Sequence, residues 1–163
     1  MMKAERLKPK DTVGIVAPAG YLRPEKLQKG IKFLEELDLQ VKLGAHLFKQ
    51  DGYLAGNDLE RLEDLHQMFA DEEVKAIFCA RGGYGSARIA SMIDFELIQE
   101  NPKIFMGYSD ISFLHLAITK KTGLVTFHGP MFASDFGKDE IAPYPREFFR
   151  QLFDSKPVQI TNG

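Results

Sequence analysis

One cysteine, four histidines and no long apolar run set the first limits on this 163-residue sequence. The lone Cys79 forms no internal disulfide, and the scattered histidines place no imidazole or thiolate cluster at metal-ligand spacing, so no metal is expected. The longest apolar stretches, Val13 to Pro18 and Ile111 to Ile118, are far too short to span a bilayer. Met1 to Asp11 is rich in Lys, Glu and Arg, which fits neither a signal peptide nor a membrane anchor; no membrane partner is expected, and residence in the cytoplasm is the simplest reading. Charge of one sign is missing too. With 21 basic against 23 acidic side chains and no segment that concentrates Lys and Arg, nucleic acid is not an expected partner. What remains is 44% apolar and 27% charged, ordinary for a globular chain, and the length suffices for one good core; a single domain over 1–163 is expected.

Val13-Gly14-Ile15-Val16-Ala17, ended by Pro18 and Gly20, reads as a strand buried on both faces. Behind Pro24, Leu27, Ile31, Leu34 and Leu37 recur at helical spacing. A second strand fits Leu39 to Leu43, and Asn57 or Asp58 can cap a helix whose buried stripe is Leu59, Leu62, Leu65 and Phe69. Val74 to Ala80 is the third strand, running into the loop Arg81-Gly82-Gly83-Tyr84-Gly85 and a short helix from Ser86 to Ile93. Ile104 to Tyr108 is the fourth strand; Ile111, Leu114, Ala117 and Ile118 mark a further helix, and Leu124 to Phe127 a fifth strand. This alternation predicts an α/β fold, a doubly wound, mostly parallel sheet with helices on both faces, of the flavodoxin-like or Rossmann-like kind. Such sheets bind ligands beyond the carboxyl ends of their strands, so the glycine loop, the turn at Ser109 and His128-Gly129-Pro130 are expected on one edge. From Ala133 the pattern weakens: a helix carrying Phe149, Leu152 and Phe153 and a last strand over Val158 to Ile160 are the expectations there.

Gly107-Tyr108-Ser109-Asp110 lies where a strand turns into a helix, a position that holds a nucleophile proud of a sheet while the helix's first N–H groups face a developing oxyanion. It matches the Gly-x-Ser-x-Gly elbow in part, since Ile111 takes the place of the second glycine; the alternative is that Ser109 or Asp110 simply caps the helix. The glycine loop fails as a nucleotide-binding Gly-x-Gly-x-x-Gly because Arg88 stands at the last position. As an oxyanion loop it needs only one exposed N–H facing the serine, which Gly82 or Gly83 supplies; a tight turn without a ligand is the alternative. Cys79 reads as a core residue. His115 sits on the helix after Ser109, pointing away from the strand end, and is poorly placed as a base. His128 is better placed, but no carboxylate stands out to orient it. His46 and His66 read as loop and helix-surface residues, and Asp11, Asp51 and Asp58 as turn and cap residues.

Four segments, Leu7-Lys8-Pro9-x-Asp11-Thr12-Val13-Gly14-Ile15-Val16-Ala17-Pro18, Ala80-Arg81-Gly82-Gly83-Tyr84-Gly85, Gly107-Tyr108-Ser109-Asp110-Ile111 and Thr126-Phe127-His128-Gly129-Pro130-Met131, together resemble the LD-carboxypeptidase family, which also includes the microcin C immunity peptidases. The resemblance runs over essentially the whole chain. It implies a serine peptidase with Ser109 as nucleophile and the Gly83 and Asp110 amides as oxyanion hole, with Arg81, Gly82, Tyr84, Tyr108 and His128 as possible lining of the site. It further implies a small peptide substrate, a muropeptide ending in D-alanine handled during peptidoglycan recycling, no organic cofactor, and a homodimer. In the family the base is a histidine and its partner a glutamate, both in a carboxy-terminal domain that these residues do not match, so the chain alone is expected to be inactive. A non-catalytic peptide- or nucleotide-binding module of the same fold is the competing reading. If a second domain covers the strand ends, the tail with Phe148, Phe149 and Phe153 is where self-pairing is expected.

Overall fold

A strand covered on both faces has no polar side to show, and three segments here, Thr12–Val16 (β1), Val74–Cys79 (β3) and Ile104–Gly107 (β4), are apolar almost throughout. In the computed structural model, which describes residues 1–138 with Glu140, Phe149, Leu152 and Phe153, they form the centre of a five-stranded parallel sheet. Gln40–Leu43 (β2) and Phe127–His128 (β5) are its edges, in the order β2-β1-β3-β4-β5. Val13 pairs with Val41 on one side and Ala76 on the other, Ile77 with Phe105, and Gly107 with His128.

Successive side chains of a strand point to opposite faces, and the core divides accordingly. Val13, Ile15, Phe78, Ile104 and Met106 enter one layer with Leu27, Phe33 and Leu34 of the helix Pro24–Glu35 (α1) and with Phe132, Phe136 and Phe149. Val16, Ile77, Cys79 and Phe105 enter the other, beneath the helices Asp58–Ala70 (α2), Ser86–Ile89 (α3), Phe95–Glu100 (α4) and Ser112–Thr122 (α5). Right-handed crossovers account for the division. The step from β1 to β2 runs one way across the sheet and every later step the other way, so α1 lies on one face and the later helices on the opposite one. The point of reversal lies between β1 and β3, where the loops diverge and leave a crevice.

Several sequence expectations shift. Leu59 does not join the buried stripe of α2; it is 66% exposed, while Arg61, two residues and therefore roughly half a turn away, is 1% exposed. The inner side of that first turn faces backbone carbonyls rather than apolar side chains, and a donor is buried there instead of a leucine. Asn57 rather than Asp58 is the cap: its Oδ1 accepts the Glu60 N–H at 3.0 Å while the Glu60 carboxylate accepts the Asn57 N–H at 2.9 Å. On α1, Ile31 is only half-buried and Phe33 takes the inward position, while Leu37, also half-buried, falls in the turn beyond the helix end. The helix expected over Ser86 to Ile93 ends at Ile89, and α4 was not anticipated; Asp94 caps it by accepting the Leu97 N–H at 3.0 Å. The fifth strand falls later than expected because Leu124 is bridged to Met2, whose carbonyl accepts the Val125 N–H at 2.8 Å. Phe149 is not available for self-pairing: it is fully buried, with ring centroids 5.1 Å from Phe78 and 5.4 Å from Phe136. Phe148 and Val158 to Ile160 lie outside the described residues. Among those described, no helix is long and apolar enough to cross a membrane.

The Asn57 side chain satisfies a helix-start N–H that no other group accepts among the described residues, so Asn57→Ala is expected to cost about 1 kcal/mol of stability. Urea denaturation checks it, through a lower midpoint at unchanged slope.

Candidate active site

The crevice at the reversal point is a cleft of about 460 Å³. Its walls come from the loops after four strands: Tyr21, Leu22, Arg23 and Lys26 after β1, Arg81, Gly82 and Gly83 after β3, Tyr108 and Ser109 after β4, and Met131, Ala133 and Ser134 after β5. The Ser109 turn and the glycine loop were expected on this edge, whereas after β5 the expectation fell on His128-Gly129-Pro130 and the cleft is lined by Met131, Ala133 and Ser134 instead. The β1 loop was not expected there, although Pro18 and Gly20 mark it as the end of a strand and the same edge rule applies to it.

Ser109 sits between β4 and a 3₁₀ turn, Ser109–Ile111, that leads into α5. It is exposed and has φ +62°, the left-handed region, which costs a residue bearing a Cβ roughly 1–2 kcal/mol. The strain turns the chain sharply enough to lift the hydroxyl out of the sheet edge. Gly82 runs directly alongside: a Cβ built there would stand 3.1 Å from Ser109 Cβ and 3.3 Å from its Oγ. Only a residue without a side chain lets the loop come this close. Gly83 follows at φ +118°, and its N–H makes no hydrogen bond among the described residues. The Asp110 N–H belongs to the first turn of the helical segment, before any carbonyl of that segment can accept it. Both amides therefore have capacity for an anion near Ser109.

Three ties hold these loops. The Gly20 N–H donates to the Gly82 carbonyl at 3.1 Å, joining the β1 and β3 loops. The Asp110 carboxylate accepts the Ser86 N–H at 2.8 Å and the Ser86 hydroxyl donates to the Asp110 carbonyl, joining the glycine loop to the serine turn. Arg61 donates from Nη1 to the Pro18 carbonyl at 2.6 Å and the Gly85 carbonyl at 3.0 Å, and from Nη2 to the Asp58 carboxylate. Burial pulls the Arg61 guanidinium below its ordinary pKa, and the adjacent Asp58 carboxylate opposes that. Asp58, expected as a turn or cap residue, is thus an ion-pair centre; Arg88 also bonds to it, at 2.8 Å, and holds its carboxyl below the usual range.

His115 does not point away from the strand end as expected. It is buried beneath it, with Nε2 2.8 Å from the Gly107 carbonyl, because the ring packs against Phe105 at 5.3 Å instead of turning to solvent. Burial lowers its pKa and favours the neutral ring, and since a carbonyl only accepts, the proton sits on Nε2 and Nδ1 is left bare. That bare Nδ1 is buried and within hydrogen-bond reach of no group, the Ser109 hydroxyl included, so His115 is not placed to act as the base for Ser109. His128 is exposed, 5.9 Å from the Tyr108 ring, and neither it nor Tyr84 lines the cleft. Tyr84 is turned outward after Gly83, three-quarters exposed, and meets the exposed Tyr53 ring at 6.4 Å. His46 lies in a turn beside Glu63, His66 accepts the Asp94 N–H at 3.0 Å, and Cys79 is buried with its thiol pushed far up by desolvation.

Ser109 thus stands at a strand-to-helix turn with left-handed backbone, beside a glycine loop at the carboxyl edge of a parallel α/β sheet. Residues 13–129 match the model of the LD-carboxypeptidase N-terminal domain, and the chain belongs to that family. A probable murein peptide carboxypeptidase of Bacillus subtilis is 58% identical over 98% of the chain, which spans 50% of that relative. The crystal structure of an MccF-like protein from Bacillus anthracis superposes with a TM-score of 0.90 at 37% identity, covering 95% of this chain and 48% of that one. A mutant of the microcin C7 self-immunity protein MccF, solved with adenosine monophosphate, superposes with a TM-score of 0.90 at 27% identity over 97% of this chain and 48% of its own. The chain thus spans about half the length of the relatives it matches.

The left-handed φ at Ser109 carries a stability prediction. Ser109→Gly is expected to be about 0.5–1 kcal/mol more stable than Ser109→Ala, because glycine relieves the backbone strain and loses part of that gain to its freer unfolded chain. Equilibrium denaturation of the two variants measures the difference, and equal stabilities would show that the strain is not there.

Proposed function

We propose that this chain is the nucleophile-bearing half of a cytoplasmic serine carboxypeptidase that removes the terminal D-alanine from murein tetrapeptides during cell-wall recycling. The observation that carries the reading is Ser109 itself, exposed at φ +62° with the backbone of Gly82 against its side chain. Residues that merely cap a helix have no need of left-handed backbone; a nucleophile that must stand clear of its sheet does.

In this reading the Ser109 hydroxyl attacks the carbonyl carbon of the last peptide bond. The oxyanion that forms is met by the Gly83 and Asp110 amides, donors fixed in place before the reaction begins. Collapse of the tetrahedral intermediate expels the D-alanine amine and leaves an acyl-enzyme on Ser109, which water then hydrolyses. A serine hydroxyl is a weak nucleophile until a base takes its proton. Neither His115, whose bare Nδ1 is buried without reaching Ser109, nor His128, off the cleft wall, fills that role, so the base and its orienting carboxylate come from outside these 163 residues. The active assembly is a homodimer of the complete enzyme, and it uses no metal or organic cofactor.

A chimera tests this. Residues 1–163 joined to the carboxy-terminal half of the Bacillus subtilis relative are expected to release D-alanine from a murein tetrapeptide, while the 163-residue chain alone gives none above the blank. Ser109→Ala in the chimera should lower the rate by a factor of about 10³ or more. Undiminished release by that variant would end the assignment.

A further inference from the structure

A carboxypeptidase must tell a chain end from a chain interior, and covalent geometry says where it has to look. From the attacked carbonyl carbon to the carboxylate carbon of the last residue there are three bonds, C–N, N–Cα and Cα–C, a contour of about 4 Å. The free carboxylate therefore enters the same cleft as the serine, and whatever recognises it lines that cleft. We infer that Arg81, with Arg23 and Lys26, forms the subsite for the substrate's terminal carboxylate, a reading that rests on the proposed peptidase function.

The cleft that contains Ser109 is lined by these three cations and, among the described residues, by no Asp or Glu. The chain as a whole carries slightly more acidic than basic side chains, 23 against 21, so this one-sided lining does not follow from composition. The nearest carboxylate in sequence, Asp110, is turned to the Ser86 N–H at 2.8 Å and is already partnered. Arg81 is the best placed of the three. It directly precedes Gly82, the residue beside Ser109, and both Arg81 and Ser109 line the cleft. Its Nη1 donates to the Tyr21 carbonyl at 3.1 Å and its guanidinium carbon lies 5.8 Å from the centre of the Tyr21 ring. Those contacts steady the fork and occupy one of five N–H donors, leaving others for a carboxylate. Arg23 and Lys26, at the start of α1, line the same cleft and add positive potential to it. A peptide amide or an internal peptide bond offers no such charge.

The experiment is an amide NMR titration of the ¹⁵N-labelled 163-residue protein with Nα-acetyl-L-lysyl-D-alanine, with the same dipeptide as its C-terminal amide, and with adenosine monophosphate. The acid is expected to bind about tenfold more tightly than the amide, a ratio worth about 1.4 kcal/mol, with shifts at Gly83 and Ser109. Arg81→Gln should shrink that ratio to below about threefold. The double variant Arg23→Gln/Lys26→Gln, which leaves the Arg81 contacts to Tyr21 intact, should reduce it without abolishing it. Equal affinity of acid and amide, or a ratio unchanged in both variants, overturns the carboxylate subsite and leaves the peptidase reading standing. Adenosine monophosphate moving the same amides at lower concentration than the acid would reassign the cations to a phosphate. If neither dipeptide moves Gly83 or Ser109, the peptidase reading falls together with this one.

Discussion

The site depends on one close approach, the backbone of Gly82 lying against the side chain of Ser109. Two strands of a parallel sheet are about 4.8 Å apart, and the loops that leave neighbouring strands would ordinarily diverge. Here the β3 and β4 loops instead converge. That is possible only because Gly82 has no Cβ to place 3.1 Å from that of Ser109, and because Ser109 accepts a left-handed backbone. Each half of the arrangement is unfavourable alone. The glycines add chain entropy to the unfolded state, and the serine carries strain.

The surrounding structure compensates with hydrogen bonds aimed at loop backbone rather than at side chains. Arg61 is the clearest case. A buried guanidinium is costly to desolvate, and it persists because two carbonyls, those of Pro18 and Gly85, and the Asp58 carboxylate engage both of its terminal nitrogens, with Nε alone left unpartnered. Its acceptors belong to the loops after β1 and β3, so a helix on one face of the sheet holds two walls of the cleft together. Ser86 and Asp110 do the same between the β3 and β4 loops. The glycine loop is thereby fastened at Gly82 to Gly20, at Gly85 to Arg61 and at Ser86 to Asp110, and Gly83, between those points, keeps its amide free. Cationic side chains then line the space that this framework encloses.

Much of this was legible before any coordinates. Apolar β-branched runs separated by amphipathic stretches specify a parallel sheet covered on both faces, and Ser109, Gly82 and Gly83 were marked by their position directly after strands. The misreadings share a cause. Leu59 matches a helical stripe by spacing, but the partner of that turn is a pair of loop carbonyls, so Arg61 is buried and Leu59 is not. His115 lies on a helix that leaves the strand end, yet its ring folds back to the Gly107 carbonyl. The fifth strand moved because Met2, far off in sequence, bridges Leu124.

Local pattern, then, determined by itself the first four strands, the helices α1, α2 and α5, the alternation of the two kinds, and which residue types stand at the strand ends, because periodicity and turn chemistry are short-range properties. Tertiary structure alone decided the strand order with its reversal between β1 and β3. It also recruited Tyr21, Arg23 and Lys26 to the cleft that holds the serine and buried Arg61 on the turn where a leucine was expected inside. Those outcomes depend on which surfaces meet across long stretches of chain, and no window of sequence contains both partners of such a meeting.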